Sequence, residues 1–212
     1  MREVANRCPC HTEGVFTLTR LSAAAIERGV AVAADLPLTA PPVLRVSHSR
    51  VPGTPLPFGF AYDMRRSCIG SGPEAFKAAK LAFGRWTPFD LGWARVANPD
   101  ARIVAGQVIA VEICTLGLWT LNLSRIREVA ETPISFGFIY VTTTAHVERG
   151  EERFFVGLDA ASGDVFYELE AFSRPRHTLA ILGFPLSRWF QHRFARESHR
   201  RMREETLAGL EA

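Results

Sequence analysis

Apolar and polar positions change period several times along this chain, and each change marks an element. Phe58, Phe60, Tyr62 and Met64 alternate with smaller residues, a period of two that predicts a strand. Phe76, Ala79, Phe83 and Trp86 then recur at helical spacing, so one face of a helix is apolar. Ser71-Gly-Pro-Glu74 before it has capping-box spacing, and Gly84 and Pro88 end it. From Gly92 the pattern turns to short strands: a β-branched run from Arg102 to Cys114, another candidate from Gly117 to Leu123, and Arg125 to Glu131 before Pro133. Phe136, Phe138 and Tyr140, then Thr142, Thr144 and His146, share one face of a further strand. Glu148-Arg-Gly150 is expected to turn into a strand from Glu152 to Leu158. Ala161-Ser-Gly163-Asp164 is expected to turn into one from Val165 to Phe172. A short helical stretch is expected after Pro175, reaching Gly183, and Pro185 suits the start of a long helix. Leu186, Trp189, Phe190, Phe194 and Met202 form its apolar stripe, with arginines on most other faces.

Connections this short require antiparallel pairing, because a parallel crossover needs a dozen residues or more. The order of strand, helix, strands and terminal helix predicts an α+β fold. A curved antiparallel sheet of about six or seven strands wraps a long C-terminal helix, with one helix after the first strand. This is a helix-grip-like arrangement, and Leu186, Phe190 and Phe194 are expected to be buried against the sheet. Residues 1–44 read differently. A short helix around Leu18 to Arg28 precedes an alanine- and proline-rich stretch, so this segment is expected to be an N-terminal extension, with residues 45–212 forming a single domain.

Composition narrows the picture only a little. In 212 residues, 47% hydrophobic and 22% charged residues are ordinary globular usage, which excludes a disordered chain. The net charge of +3 is small and no nucleic-acid partner is expected. Cys8, Cys10, Cys68 and Cys114 show no disulfide framework, the N-terminus lacks an uninterrupted apolar core of signal-peptide length, and no run of 18 apolar residues occurs. The cytoplasm is the expected compartment. The terminal helix sets arginines beside aromatics, which leaves peripheral membrane contact open, but Glu197, Glu204 and Glu205 interrupt the charge.

Three clusters invite a chemical reading. Gly70-Ser-Gly72-Pro-Glu-Ala75 fits the G-x-G-x-x-A pattern of a dinucleotide turn, with Asp90 twenty residues on. Glu74 would place a negative charge beside the pyrophosphate, and Pro73 removes an amide, so a tight turn before a helix is favoured and no cofactor is expected. Cys8-Pro-Cys10-His11 offers three metal-type ligands, but zinc sites draw on two separated pairs, so no metal is assigned. The third cluster is His146 with Glu151, Glu152 and Arg153. With Tyr140, Thr142 and Thr144 on the same strand face, it can line a cavity apolar at one end and polar at the other. Glu112 and Asn122 are further candidates for buried polar anchors.

Gly70-x-Gly72, Phe76, Trp86, Gly92-Trp93, Gly117-x-Trp119-x-x-Asn122, Phe136-Gly-Phe-x-Tyr140, His146, Gly150-Glu-Glu-Arg-Phe154, Phe172-Ser-Arg-Pro175, Pro185 and Gln191-x-Arg-Phe194 occur in that order. Over residues 45–207 the chain thereby resembles an uncharacterised bacterial and plant family, the domain of unknown function nineteen-ninety. The resemblance brings no activity with it. It adds weight to Asn122, Tyr140, His146, Glu151, Glu152, Arg153, Ser173 and Arg174, while Thr142-Thr-Thr-Ala145 departs from the glycine-containing run of that family.

The expected function is binding, without catalysis, of a small apolar or amphipathic, lipid-like molecule between sheet and terminal helix. Candidate ligand-binding residues are Asn122, Phe138, Tyr140, His146, Glu152, Arg153 and Arg174; no catalytic residue is assigned. The alternatives are a hydrolase- or cyclase-type enzyme with His146 as acid or base, or an interaction module using the basic helix. Alternation allows either Glu152 or Arg153, not both, to face the cavity. Glu152 would orient His146 and raise its pKa, whereas Arg153 would favour an anionic head group.

Overall fold

The computed structural model describes residues 16–40, 58–176 and 184–211. Its strands, in chain order, are β1 (Phe16–Thr17), β2 (Ala61–Ser71), β3 (Ala94–Val96), β4 (Val108–Thr115), β5 (Leu118–Thr132), β6 (Ser135–Thr142), β7 (Glu148–Leu158) and β8 (Asp164–Pro175). The helices are α1 (Ala23–Ala33), α2 (Gly72–Gly84) and α3 (Phe184–Ala208), with a 3₁₀ turn over Thr87–Phe89. The strands form one antiparallel sheet in the order β2-β8-β7-β6-β5-β4-β3, and β1 pairs with the free side of β5 near its start. Hairpins make every link from β3 to β8, which returns the last strand to pair with β2. The expected curved antiparallel sheet with a long terminal helix, a helix-grip arrangement, is what the chain forms.

Strand parity decides the two faces. Phe136, Phe138 and Tyr140 of β6, Phe154 and Val156 of β7, and Tyr167 and Leu169 of β8 belong to one cluster with Ala79 and Phe83 of α2. Around Phe83, which is fully buried, Phe136, Phe138 and Tyr167 stand edge-on with ring centroids 5.8 to 5.9 Å away. That edge-to-face geometry adds to the burial of rings this large. The helical apolar spacing of α2 therefore became its packed face.

The turn into α2 is tight for a steric reason. Gly72 has φ +84°, and its N–H bonds the carbonyl of Gly163, while a Cβ at Gly70 would lie 2.9 Å from that of Ala75. The expected capping box does not form. The Ser71 hydroxyl donates to the Gly163 carbonyl instead, and Glu74 pairs with Lys77 at 2.7 Å.

Several other boundaries differ from expectation. Only the second half of the Arg102–Cys114 run is strand, and the two segments on either side of Ser124 join into the single long β5. Glu148 to Gly150 already belong to β7, so the chain turns at 143–147 rather than 148–150. The short helical stretch expected before Gly183 falls outside the described residues.

The first helix starts at Ser22, whose side chain accepts from the Ala25 amide, and Leu18 is left exposed. After β1, residues 21–36 lie on the opposite, convex face of the sheet. There Ile26 and Ala33 pack with Val108, Ala110, Leu121 and Leu123. Thr39 N–H bonds the carbonyl of Thr142, and Arg125 donates to the carbonyl of Ala34. A second, smaller core thus covers the back of β4 and β5.

Helix α3 does not bury its whole apolar stripe. Ser198, His199, Met202 and Thr206 are buried, but Phe190 and Phe194 are only partly so, and Leu186 is 40% exposed. The expected full burial of Leu186, Phe190 and Phe194 fails because the side chains of the sheet below them do not fill the space under the helix. A cavity is there instead.

Candidate functional site

The cavity has a volume of about 610 Å³ and lies between the concave sheet face and the first half of α3. That size falls within the range of small-molecule sites. Phe89, Trp93, Val111, Ile113 and Leu169 form apolar walls, with Leu186, Phe190 and Phe194 of α3 above them. At the far end β1 contributes Phe16, beside Leu116 and Leu118 of the β4–β5 hairpin.

The polar end is built by the parity that fills the core elsewhere. Going along β7 from Phe154 toward its start, the same face presents Glu152 and then Glu148. Tyr140 of β6, directly opposite Glu152, donates its hydroxyl to that carboxyl at 2.7 Å. Gln191 of α3 donates to Glu148 at 2.8 Å and to the Ser173 hydroxyl at 2.9 Å, tying helix to sheet. Arg188, a turn earlier, grips both oxygens of Asp63 on β2 at 2.5 and 2.7 Å and donates to the Gln191 side-chain oxygen at 2.6 Å. Asn122 of β5 donates to Thr120 at 3.1 Å, while its own side-chain oxygen is buried without a partner.

Electrostatics follow from the enclosure. Glu148 and Glu152 sit at the polar end of the cavity, and burial pushes both carboxyls up to about 7. Gln191 and Tyr140, which hydrogen-bond these carboxylates, pull the other way but less. The Tyr140 phenol is itself driven well above its ordinary value by burial and by Glu152. Burial lowers His146 to about 4. Its Nδ1 accepts from the Glu148 amide at 2.9 Å, so the neutral ring carries its proton on Nε2.

Of the residues singled out from sequence, Asn122, Tyr140, His146 and Glu152 line the cavity together. His146 arrives there through the 143–147 turn, not by extension of β6. Phe138 does not line it: it is buried in the packed cluster, stacked on Phe154 at 5.1 Å. Arg153 faces the convex side, paired with Glu168 at 3.1 Å and Glu170 at 3.5 Å, because β7 parity gives the concave face to Glu152. Arg174, also on the wrong side of its strand, donates to the Phe58 carbonyl. Glu151 is likewise convex and pairs with Arg127. Glu112 is buried behind the sheet, 2.7 Å from Arg95.

Glu152 also does not orient His146, since its partner is Tyr140. The His146 pKa falls rather than rises, which removes the expected His–Glu pair. Sequence reading missed Glu148, taken for a turn residue, and the Asp63–Arg188–Gln191 chain. Gln191 stood in the family motif, but nothing local showed which strand it would meet. The Cys8-Pro-Cys10-His11 cluster lies outside the described residues. Among the described ones no group of three or more His, Cys, Asp or Glu is placed to hold a metal. Also among them, no helix is long and apolar enough to cross a membrane.

The family model "Domain of unknown function (DUF1990)" matches residues 45–201. The chain belongs to this family. A UPF0548 protein of Dictyostelium discoideum is 34% identical over 154 residues, covering 68% of this chain and 71% of that one. A UPF0548 protein of Arabidopsis thaliana is 32% identical over 146 residues, covering 66% and 70%. Among solved structures, the chain is similar to Ara h 8.0201, with 14% identity and TM-score 0.46 over 71% of this chain and 99% of that one. It is also similar to major latex-like protein 151 of Panax ginseng, with 14% identity and TM-score 0.43 over 70% and 99%. The DUF1990 match begins at 45, so β1 and α1, and with them the Phe16 wall of the cavity, lie outside it.

Proposed function

We propose that this DUF1990 protein binds a small amphipathic molecule in the cavity between sheet and terminal helix. The observation that carries the reading is the cavity itself, about 610 Å³ with aromatic and aliphatic walls and one end polar. Apolar walls give affinity by burying the body of a ligand, and a few fixed polar groups at one end give orientation. The Asn122 oxygen supports it, since a buried acceptor left unpaired costs about 1–3 kcal/mol that a ligand donor would recover. Native mass spectrometry of the purified protein tests it: a co-purifying small molecule of defined mass is expected. Absence of any adduct, together with no binding of the neutral dye Nile red, would remove the proposal.

A second reading is proton-transfer catalysis, favoured by the Tyr140–Glu152 pair rather than by His146. A carboxyl near 7 inside an apolar cavity has the value a general base needs at neutral pH, whereas His146 near 4 is a poor one. Turnover of a bound ligand that is abolished by Glu152→Gln, with binding retained, would decide for this reading over simple binding.

A further inference from the structure

We propose that the molecule held in this cavity carries a protonated amine as its head group, received by Glu152, Glu148 and the Asn122 side-chain oxygen. The inference rests on the binding reading above and specifies the ligand class. Asp63 and Arg188 neutralise each other through two hydrogen bonds, and Arg188 spends a further donor on Gln191. Beyond that pair, Arg188 still pulls the Glu148 carboxyl down from a distance, whereas no cation is among the groups acting on Glu152. Tyr140 bonds Glu152, and Gln191 and Ser173 bond Glu148, which leaves further lone pairs for a ligand. Asn122 adds an acceptor, fixed by the hydrogen bond that its amide nitrogen makes to Thr120.

Acceptors thus outnumber donors. Against them stand uncharged donors, the Nε2–H of neutral His146 and the hydroxyl of Ser173. Arg65, Arg196 and His192 also border the cavity but are exposed to bulk water, where salt screens them over roughly 10 Å. Phe89, Trp93 and Phe194 line the adjoining wall, and a cation is attracted to such ring faces. An anionic head would instead meet two carboxyls in a poorly solvated space, the arrangement that like charges disfavour most. The raised carboxyl values are consistent with a site whose counter-charge arrives with the ligand: an ammonium would draw both back down and release protons on binding.

The test compares decylamine, decanol and decanoate, which share one tail, by displacement of Nile red at pH 5.5, 7 and 8.5. Decylamine is expected to bind at least tenfold tighter than decanol at pH 8.5, with the advantage shrinking toward pH 5.5 as the carboxyls take up protons. Decanoate should bind weakest. In Glu152→Gln the ratio of amine to alcohol affinity should fall about tenfold, with a cooperative thermal transition showing that the variant is folded. If decanol or decanoate matches decylamine, or the ratio survives in the folded variant, the head-group inference fails while the cavity reading stands. If none of the three displaces the dye, both fall together.

Discussion

The two halves of α3 meet the same sheet and do opposite things. Residues 198 to 206 pack down, with Met202 and Thr206 fully buried and the Ser198 hydroxyl 2.9 Å from that of Tyr167. Residues 186 to 196 roof the cavity, held to the sheet by Gln191 and reaching the core only through Phe194 and Ala195. The strands beneath are continuous from one half to the other, so strand geometry is not the difference. On β7, Val156 and Phe154 belong to the packed cluster, Phe154 meeting Phe194 at its border, and Glu152 and Glu148 on the same face line the cavity. The packed cluster also receives Phe83 from α2 and Trp86 just after its cap, whereas α2 sends no ring to the cavity. A helix-grip sheet thus makes a core or a cavity according to side-chain volume and to whether a second helix supplies rings.

Substitutions that shrink a side chain should separate the halves most sharply. Phe83→Ala in the packed half is expected to cost about 3–5 kcal/mol. Phe190→Ala over the cavity should cost about 1 kcal/mol or less, because that ring is already partly exposed. Urea denaturation of both variants measures the contrast, and similar losses would show the cavity to be filled or collapsed. Ligand affinity should move the other way, falling for Phe190→Ala.

A comparable contrast separates the two faces of the sheet. A chain beginning at Leu44 is expected to keep the concave cluster, which lies within it, and to lose about 2–3 kcal/mol as Ile26 and Ala33 leave the back of β4 and β5. Thermal melts check this, and an unchanged midpoint would make segment 16–40 a passive extension.

Smaller still is the effect of charge in the hollow half. Glu152 has a folded pKa near 7 against 4.5 in the unfolded chain, so its ionised form is disfavoured by folding. Its contribution is intact below 4.5, declines as pH rises, and is fully lost above 7. Glu152→Gln should therefore raise stability by on the order of 1–3 kcal/mol at pH 8 and leave it nearly unchanged at pH 4. His146 works in the opposite sense. Folded near 4 and unfolded near 6.5, it gives full stability above 6.5 and loses it as pH falls toward 4. Melting curves from pH 4 to 8.5 should show the two flanks, and only the alkaline one should change in the Gln variant. The least effect is expected at Trp189, 53% exposed: alanine there should stay within about 0.5 kcal/mol by chemical denaturation.

Periodicity alone determined the presence of strands from Phe136 onward, the apolar face of α2 and the terminal helix, but it misplaced the turn between β6 and β7. These follow from local geometry: alternation on a pleated strand and 3.6-residue spacing on a helix leave few choices. The inward set of Phe136, Phe138 and Tyr140 was legible for the same reason. Tertiary structure decided which inward residues meet protein and which meet space. Phe138 and Tyr140 share a strand face, yet one is stacked in the core and the other holds Glu152 at a cavity. That outcome depends on where α2 ends and where Gln191 and Arg188 reach the sheet. Such contacts join residues more than a hundred positions apart, as Asp63 and Arg188 do, and no local pattern encodes them. The choice between Glu152 and Arg153 was of this kind: alternation makes them opposites, and only the pairing of β7 between β6 and β8 fixes which one faces inward.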